Sequence, residues 1–386
     1  MLQHLYRRCC QVRSLTCTEL ELKNIKCILD RCTNTLVDLS LAIKIDDYPK
    51  KEKLQIEPEE LTSLKKLTLL CSMDLSHKRG FWLWLCKRCS HVEEVIVERP
   101  SGFVKSLAEG MLTHMPNVNI IQLGRHSPGA SYGLADMEAA ELLSSSRKGW
   151  KAVKVKHTTE FGKASMEALA NHFATLEMLV ADQSADLEAY DWVLVLSSST
   201  NLHSLIAIVD INKRLGEGHC IKANNFIDLD PIEGSLKPWL CGTTLRVLKI
   251  RISDIPRPDL KSKWVVKETY PGQGRDMQIQ VYDRLARMTH LETLWLGHNE
   301  ISWQFDCLEM SLDSGMFQLG GLRELSELNV SNMKTRIGVP EVEWMTSNWP
   351  RLRTIYGLND QHNEAVQWLQ QHHPEIVLVI YGAGRR

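Results

Sequence analysis

Apolar residues recur along the chain in a hexad whose first, fourth and sixth positions are apolar. It reads LVDLSL at Leu36–Leu41, LKKLTL at Leu64–Leu69, VEEVIV at Val92–Val97 and VNIIQL at Val118–Leu123. It continues as WKAVKV at Trp150–Val155, LEMLVA at Leu176–Ala181, LHSLIA at Leu202–Ala207 and LRVLKI at Leu245–Ile250. LETLWL at Leu291–Leu296, LSELNV at Leu325–Val330 and LRTIYG at Leu352–Gly357 follow, with a weaker copy at Val12–Cys17 and a closing one, IVLVIY, at Ile376–Tyr381. The end of each hexad alternates as a strand does, so positions four and six point into a core while three and five face the other way. Between hexads, segments such as 103–115, 166–176, 283–288 and 362–373 carry apolar residues three and four apart, the pattern of a helix with one buried stripe.

Each repeat is therefore a short strand, a turn and a helix, and neither element can bury its apolar face alone. Stacked copies predict an α/β solenoid, a horseshoe with parallel strands on its concave face and helices on its convex face. About 12–13 irregular units would fill a single domain over residues 1–386. Two spacings break the rhythm: 43 residues separate Leu202 from Leu245, and 46 separate Leu245 from Leu291. These gaps hold Pro231, Gly234, Pro256, Pro258, Pro271 and Gly272, and predict insertions at approximately 210–240 and 254–281. A degenerate strand at Ala223–Leu229 is one reading of the first gap; a loop is the other.

The hexad also sorts displayed residues from buried ones. Positions three and five in the middle of the ladder are Ala152, Met178, Val180, Ile206 and Val247, an apolar stripe suited to a peptide or protein partner. An insertion folding back over the stripe is the competing expectation. Trp295 lies between core positions Leu294 and Leu296, and with Tyr356 it supplies aromatic anchors. Trp264 and Tyr270 of the second insertion are alternative packing partners for Trp295. Lys154, Lys156, Lys249 and Arg251 recur at corresponding strand positions, where they pair with an acidic segment or remain solvated. The candidate protein-binding residues are thus Trp295, Tyr356, Met178, Val180, Ile206, Lys154, Lys249 and Arg251.

A formal net charge of -1 over 386 residues gives no support to general nucleic-acid binding. No apolar run reaches membrane-spanning length, and MLQHLYRRCCQVRSL lacks the features of a secretory signal. The expected compartment is cytoplasm or nucleus. The cysteine count, 11, is odd and too sparse for a disulfide scaffold. Cys9, Cys32 and Cys89 stand three or four residues before a hexad, where other repeats have Met115, Phe173, Met288, Trp349 or His373. That column reads as packing at a helix end.

Other local chemistry is weaker than the repeat. Cys86-x-x-Cys89 with Cys71 and His91 has metal-like spacing, but it falls at a helix end. Gly272-x-Gly274 and the GEGHC run at 216–220 lack the setting of a nucleotide loop. His372, His373, Asp46, Asp47, Asp228 and Asp230 form no recognisable acid, base and nucleophile set. The expectation is no enzyme, no cofactor and no metal.

RRCCQVRSL, KRCSHVEEVIV, HMPNVNIIQL and NWPRLRTI resemble the cysteine-containing, ribonuclease-inhibitor-like class of the leucine-rich repeat family. With divergent repeats and long insertions, the chain is similar to the repeat region of fungal F-box/leucine-rich-repeat proteins. That resemblance implies a protein-protein interaction scaffold, the substrate-recognition part of an F-box-type ubiquitin ligase. The helical F-box module itself is missing ahead of the first hexad, so a ligase adaptor is expected as a partner only if such a module lies upstream. The alternatives are a structural or regulatory repeat protein without ligase connection, and an enzyme or small-ligand receptor with a polar pocket at the insertions.

Overall fold

A computed structural model describes residues 12–20, 25, 29–30, 32–43, 59–71, 79–98, 103–124, 134–156, 159–181, 189–207, 221–258, 267–297, 308–331, 333, 335–358 and 362–379. The chain divides into two compact units, with the sequence boundary at Leu176/Glu177. Each is a run of an α/β solenoid of the leucine-rich-repeat kind.

The first unit contains strands β1 (Ser14–Leu20), β2 (Asp38–Ile43), β3 (Lys66–Cys71), β4 (Glu94–Glu98), β5 (Ile120–Leu123) and β6 (Ala152–Val155). They pair in parallel and in chain order. The hexad sets the register. Leu39, Leu67, Val95, Ile121 and Val153 align at position four, and Leu41, Leu69, Val97, Leu123 and Val155 at position six. All ten are fully buried. Strand entry repeats too: the carbonyls of Val37, Lys65, Glu93 and Asn119 each accept two N–H groups from the following repeat.

Helices α1 (Arg79–Arg88), α2 (Val104–His114), α3 (Asp136–Leu143) and α4 (Lys163–Ala170) cover the buried face. Val104, Leu107, Ala108 and Met111 form the inward stripe of α2. The helices approach closely: a Cβ on Gly110 would stand 2.7 Å from Cys86 Sγ, so only glycine fits there. Phe103 stacks on Trp82 with ring centroids 4.3 Å apart.

The residues before the hexads behave as a packing column. Cys32, Cys89, Met115, Phe173, Met288 and Trp349 are all buried. The carbonyls of Cys89, Met115, Met288 and Trp349 accept the N–H of the first hexad residue at 3.0–3.3 Å. The same position thus fills the core and closes the turn into the strand.

The second unit contains β7 (Met178–Ala181), β8 (Ser204–Ile206), β10 (Val247–Lys249), β12 (Thr293–Trp295), β13 (Glu327–Asn329), β14 (Thr354–Tyr356) and β15 (Val377–Val379), paired in parallel in that order. Leu179, Leu205, Leu248, Leu294, Leu328, Ile355 and Leu378 align at position four. The last alignment corrects the sequence frame. A hexad starting at Ile376 puts Val379 opposite Ile355, whereas the register puts Leu378 there. A one-residue slip exchanges the two faces of a strand.

The helices of this unit are α5 (Ala189–Ser198), α6 (Ala223–Ile227), α7 (Gln273–Ala286), α8 (Val339–Asn348) and α9 (Asn363–His372). Within the irregular region, Ala223–Leu229 is not a degenerate strand. It holds α6, which ends at Asp228 in a left-handed conformation. The strand is the short β9 (Ile221–Lys222) just before it, paired in parallel with β11 (Ile252–Ser253) in a separate sheet. Within the interval 254–281, α7 begins at Gln273. Gly272 turns the chain at φ +88°, and a Cβ on Gly274 would fall 1.9 Å from the Pro256 carbonyl oxygen, so both glycines serve the entry to α7.

Arg284 of α7 holds the first insertion. Its guanidinium donates to the carbonyls of Ile227, Asp228 and Lys237 and lies 4.5 Å over the Trp239 ring. Burial lowers its pKa to about 10, which leaves it charged at neutral pH. Glu309 is a second buried node: its carboxylate faces Arg257 at 3.3 Å and Arg336 at 3.4 Å, and its backbone is held by Tyr282, Gln278 and Ser314.

One carboxylate links successive repeats of the first unit. Asp136 accepts the N–H groups of Gly162, Ala164 and Ser165 at 2.8–3.0 Å, supplying the N-terminal cap that Gly162 cannot. Burial raises its pKa, but the hydrogen bonds from Ser165, Gly162 and Ala164 outweigh burial and hold it below 3.8. Asp136→Ala is expected to cost about 1 kcal/mol at neutral pH, the usual worth of a cap. Because the folded-state pKa is depressed, that contribution is present above pH 3.8 and is lost as pH falls through the folded value. Urea unfolding of both proteins at pH 7 and pH 3 checks this: the gap between their midpoints should narrow at the lower pH.

Candidate functional site

On the side of the second-unit sheet opposite the helices, fifth-position residues form one register row. Val180, Ile206, Lys249, Trp295, Asn329 and Tyr356 align across β7, β8, β10, β12, β13 and β14. Met178, Ser204, Val247, Thr293, Glu327 and Thr354 form the row beside it. Val180, Ile206, Lys249, Trp295 and Tyr356 are half-buried, with side chains partly open to solvent.

The row has an aromatic and charged centre. Trp295 and Tyr356 rings lie 5.4 Å apart at 50°. Their strands are separated by β13, so the rings lean toward each other over the intervening position at a strand spacing of about 4.8 Å. That position is Asn329, which is fully buried rather than displayed. Its Oδ1 accepts Ser331 N–H at 2.8 Å, while its Nδ2 has no hydrogen-bond partner among the described residues. Ile96, Ala152 and Ser204, other positions expected to be displayed, are also buried.

Trp295 is held on three sides. Its indole N–H donates to Glu327 Oε1, Lys249 Nζ lies 3.4 Å from its ring centroid, and Tyr356 flanks it. A cation over an indole face at this separation is electrostatically attractive. Glu327 Oε1 stands 3.9 Å from Lys249 Nζ. Burial lowers the Lys249 pKa, and Glu327 partly offsets the shift. Trp295 thus packs with Tyr356 from two strands further on; Tyr270 is 51% exposed, and Trp264 lies outside the described residues.

The remaining candidates separate. Lys154 is half-buried on β6 of the first unit, in register with Gln122. Met178 begins the second-unit rows, and Arg251 follows β10, half-buried. The structure brings Lys249, Trp295 and Tyr356 together and adds Glu327 and Asn329, which sequence reasoning did not single out. The signal for Glu327 was its third-position place one strand beyond Trp295. No sequence signal marked Asn329 as buried, since its hexad position assigns it to the displayed face.

The discounted chemistry has structural explanations. Cys86 and Cys89 are buried; burial pushes the Cys86 thiol far up and the Cys89 thiol to about 12, which disfavours the thiolates that metal ligation needs. His91 faces Glu60 at 3.3 Å. Among the described residues, no group of three or more His, Cys, Asp or Glu is placed to hold a metal ion. His372 stacks on Trp368 and His373 pairs with Glu375. Asp228 accepts the Trp239 indole N–H, and Asp230 accepts the N–H groups of Ile232 and Glu233 in a turn. Asp46, Asp47 and the 216–220 run lie outside the described residues.

No protein-family model matches the chain, and no curated protein matches it. Among solved structures it is similar to an internalin (inlF) from Listeria monocytogenes, at 14% identity and a TM-score of 0.48, covering 98% of this chain and 89% of that one. It is also similar to the Rad7 and Elc1 complex in yeast, at 14% identity and a TM-score of 0.36, covering 83% of this chain and 81% of that chain.

Thiol chemistry checks the packing assignment. In the native protein, Cys86 and Cys89 should resist a disulfide reagent that labels them rapidly in denaturant, and peptide mapping after labelling reads the difference. Rapid native modification of either residue contradicts their burial.

Proposed function

We propose that this chain is a non-catalytic protein-binding scaffold that holds a partner segment against the second-unit sheet. The register row from Val180 to Tyr356 carries the reading. It offers two apolar side chains, a cation and two aromatic rings on parallel strands, all half-buried. Interfaces of this kind concentrate energy in a few aromatic and basic anchors surrounded by apolar contacts. Trp295 is already fixed by Glu327, Lys249 and Tyr356, so binding costs little of its rotational freedom.

The motif resemblance supports a narrower reading: substrate recognition for an F-box-type ubiquitin ligase, in the cytoplasm or nucleus. The mechanism is non-covalent. This chain holds the target, and an F-box module recruits the adaptor. Co-purification of the adaptor with the natural full-length product tests that reading separately. A partner recovered without any adaptor favours a regulatory scaffold instead.

Affinity capture with the wild type beside Trp295→Ala and Tyr356→Ala tests the binding face. Both variants should lose the principal partner by about tenfold or more, as expected for central aromatic anchors, while keeping a cooperative thermal transition. A partner set identical to wild type from both folded variants overturns the assignment.

A further inference from the structure

The scaffold reading leaves the chemistry of the bound segment open. Resting on that reading, we infer that the row receives an extended peptide laid across the strands, with an acidic side chain at Lys249 and apolar side chains on either side.

Lys249 carries the argument. Its side chain is only 19% exposed. An ammonium has three N–H donors, and removing it from water without acceptors is costly. Among the described residues its neighbours are the Trp295 face at 3.4 Å and Glu327 Oε1 at 3.9 Å, and the latter is beyond hydrogen-bond reach. That same carboxylate oxygen already accepts the Trp295 indole N–H. The cation is therefore held in place electrostatically, while no described residue accepts a hydrogen bond from it. A carboxylate from a partner supplies them.

The neighbours define the rest of the segment. Val180 and Ile206 precede Lys249 along the row, and Trp295 and Tyr356 follow it. An acidic residue over Lys249 thus places its flanking side chains against aliphatic surface on one side and aromatic surface on the other. Six strands span roughly 24 Å at about 4.8 Å per strand, which about seven extended residues cover at ~3.4 Å each.

Charge on the two rows selects against the alternatives. Their ionic groups are Lys249 and Glu327, with Arg251 just beyond β10. A basic segment meets Lys249 and finds Glu327 already engaged. A nucleic acid needs several cations along its backbone, and the rows do not provide them.

Fluorescence anisotropy with the full chain tests the inference, using fluorescein-labelled heptapeptide libraries whose central residue is Glu, Gln or Lys and whose flanks are apolar. Glu-centred peptides should bind about tenfold more tightly than Gln-centred ones, the scale of one charged hydrogen-bonded contact. Lys249→Met should abolish that preference, Lys249→Arg should keep it, and Lys249→Glu should transfer it to Lys-centred peptides, with melting curves confirming folded variants. Equal binding of Glu- and Gln-centred libraries, or a preference unchanged in Lys249→Met, overturns the inference. If that binding still depends on Trp295, the scaffold reading survives. Failure of every library to bind sinks both. An all-glutamate peptide or a single-stranded oligonucleotide binding as well as the Glu-centred library also overturns it, because charge alone would then suffice.

Discussion

Parallel register is the constraint on which the rest of each unit depends. A strand of three to seven residues has one apolar face and cannot bury it by itself. Burial comes only when position four meets position four of the next repeat, as Leu67 meets Val95 and Leu248 meets Leu294. Once that alignment is fixed, period-two geometry puts every third and fifth residue on the other face. The Val180–Tyr356 row is therefore a by-product of the core: residues far apart in sequence become neighbours because the apolar residues one position before them had to align.

Between the strands, polar side chains do what the hydrophobic pattern cannot. Turns and helix ends leave N–H and carbonyl groups without local partners. In the first unit Asp136 caps the helix of the following repeat. In the second unit Arg284 satisfies three carbonyls of an irregular loop, and Glu309 gathers two arginines over another. These contacts concentrate where spacing departs from the regular repeat. Short elements such as β9 and α6 leave many backbone groups without ladder or helix partners, and charge-assisted hydrogen bonds tie them.

The regular elements were legible because hydrophobic periodicity records them. The hexads predicted the strands, and the three-four spacing of Val104, Leu107 and Met111 predicted α2. Where elements were too short to show a period, the reading failed: α6 has five residues and β9 has two. The start of α7 was hidden because Gly272 and Gly274 read as loop residues, although one caps the helix and the other permits a close backbone approach. The final hexad slipped by one because IVLVIY is apolar at nearly every position and so does not fix its own phase. The candidate site was legible for Lys249, Trp295 and Tyr356, which the repeat assigns to one face. The burial of Asn329 and the meeting of Trp295 with Tyr356 across three strands were not legible, because neither leaves a trace in local sequence.

The ring pairing decides how freely a tryptophan on this sheet can move. An isolated tryptophan on a sheet is a mobile surface group that loses rotamer freedom when it binds. Trp295 instead has its N–H bonded, one face occupied by an ammonium and its neighbour ring already in place. The arrangement has a cost: Asn329 keeps a buried donor without an acceptor, and Lys249 keeps an ammonium partly out of water. Neither group improves the leucine core formed by the residue before it. Apolar residues at both places would have made a simpler stack, as Val180 and Ile206 do on β7 and β8. The polar strain is localised to the part of the row where Lys249, Trp295 and Tyr356 converge, away from the aliphatic positions of β7 and β8.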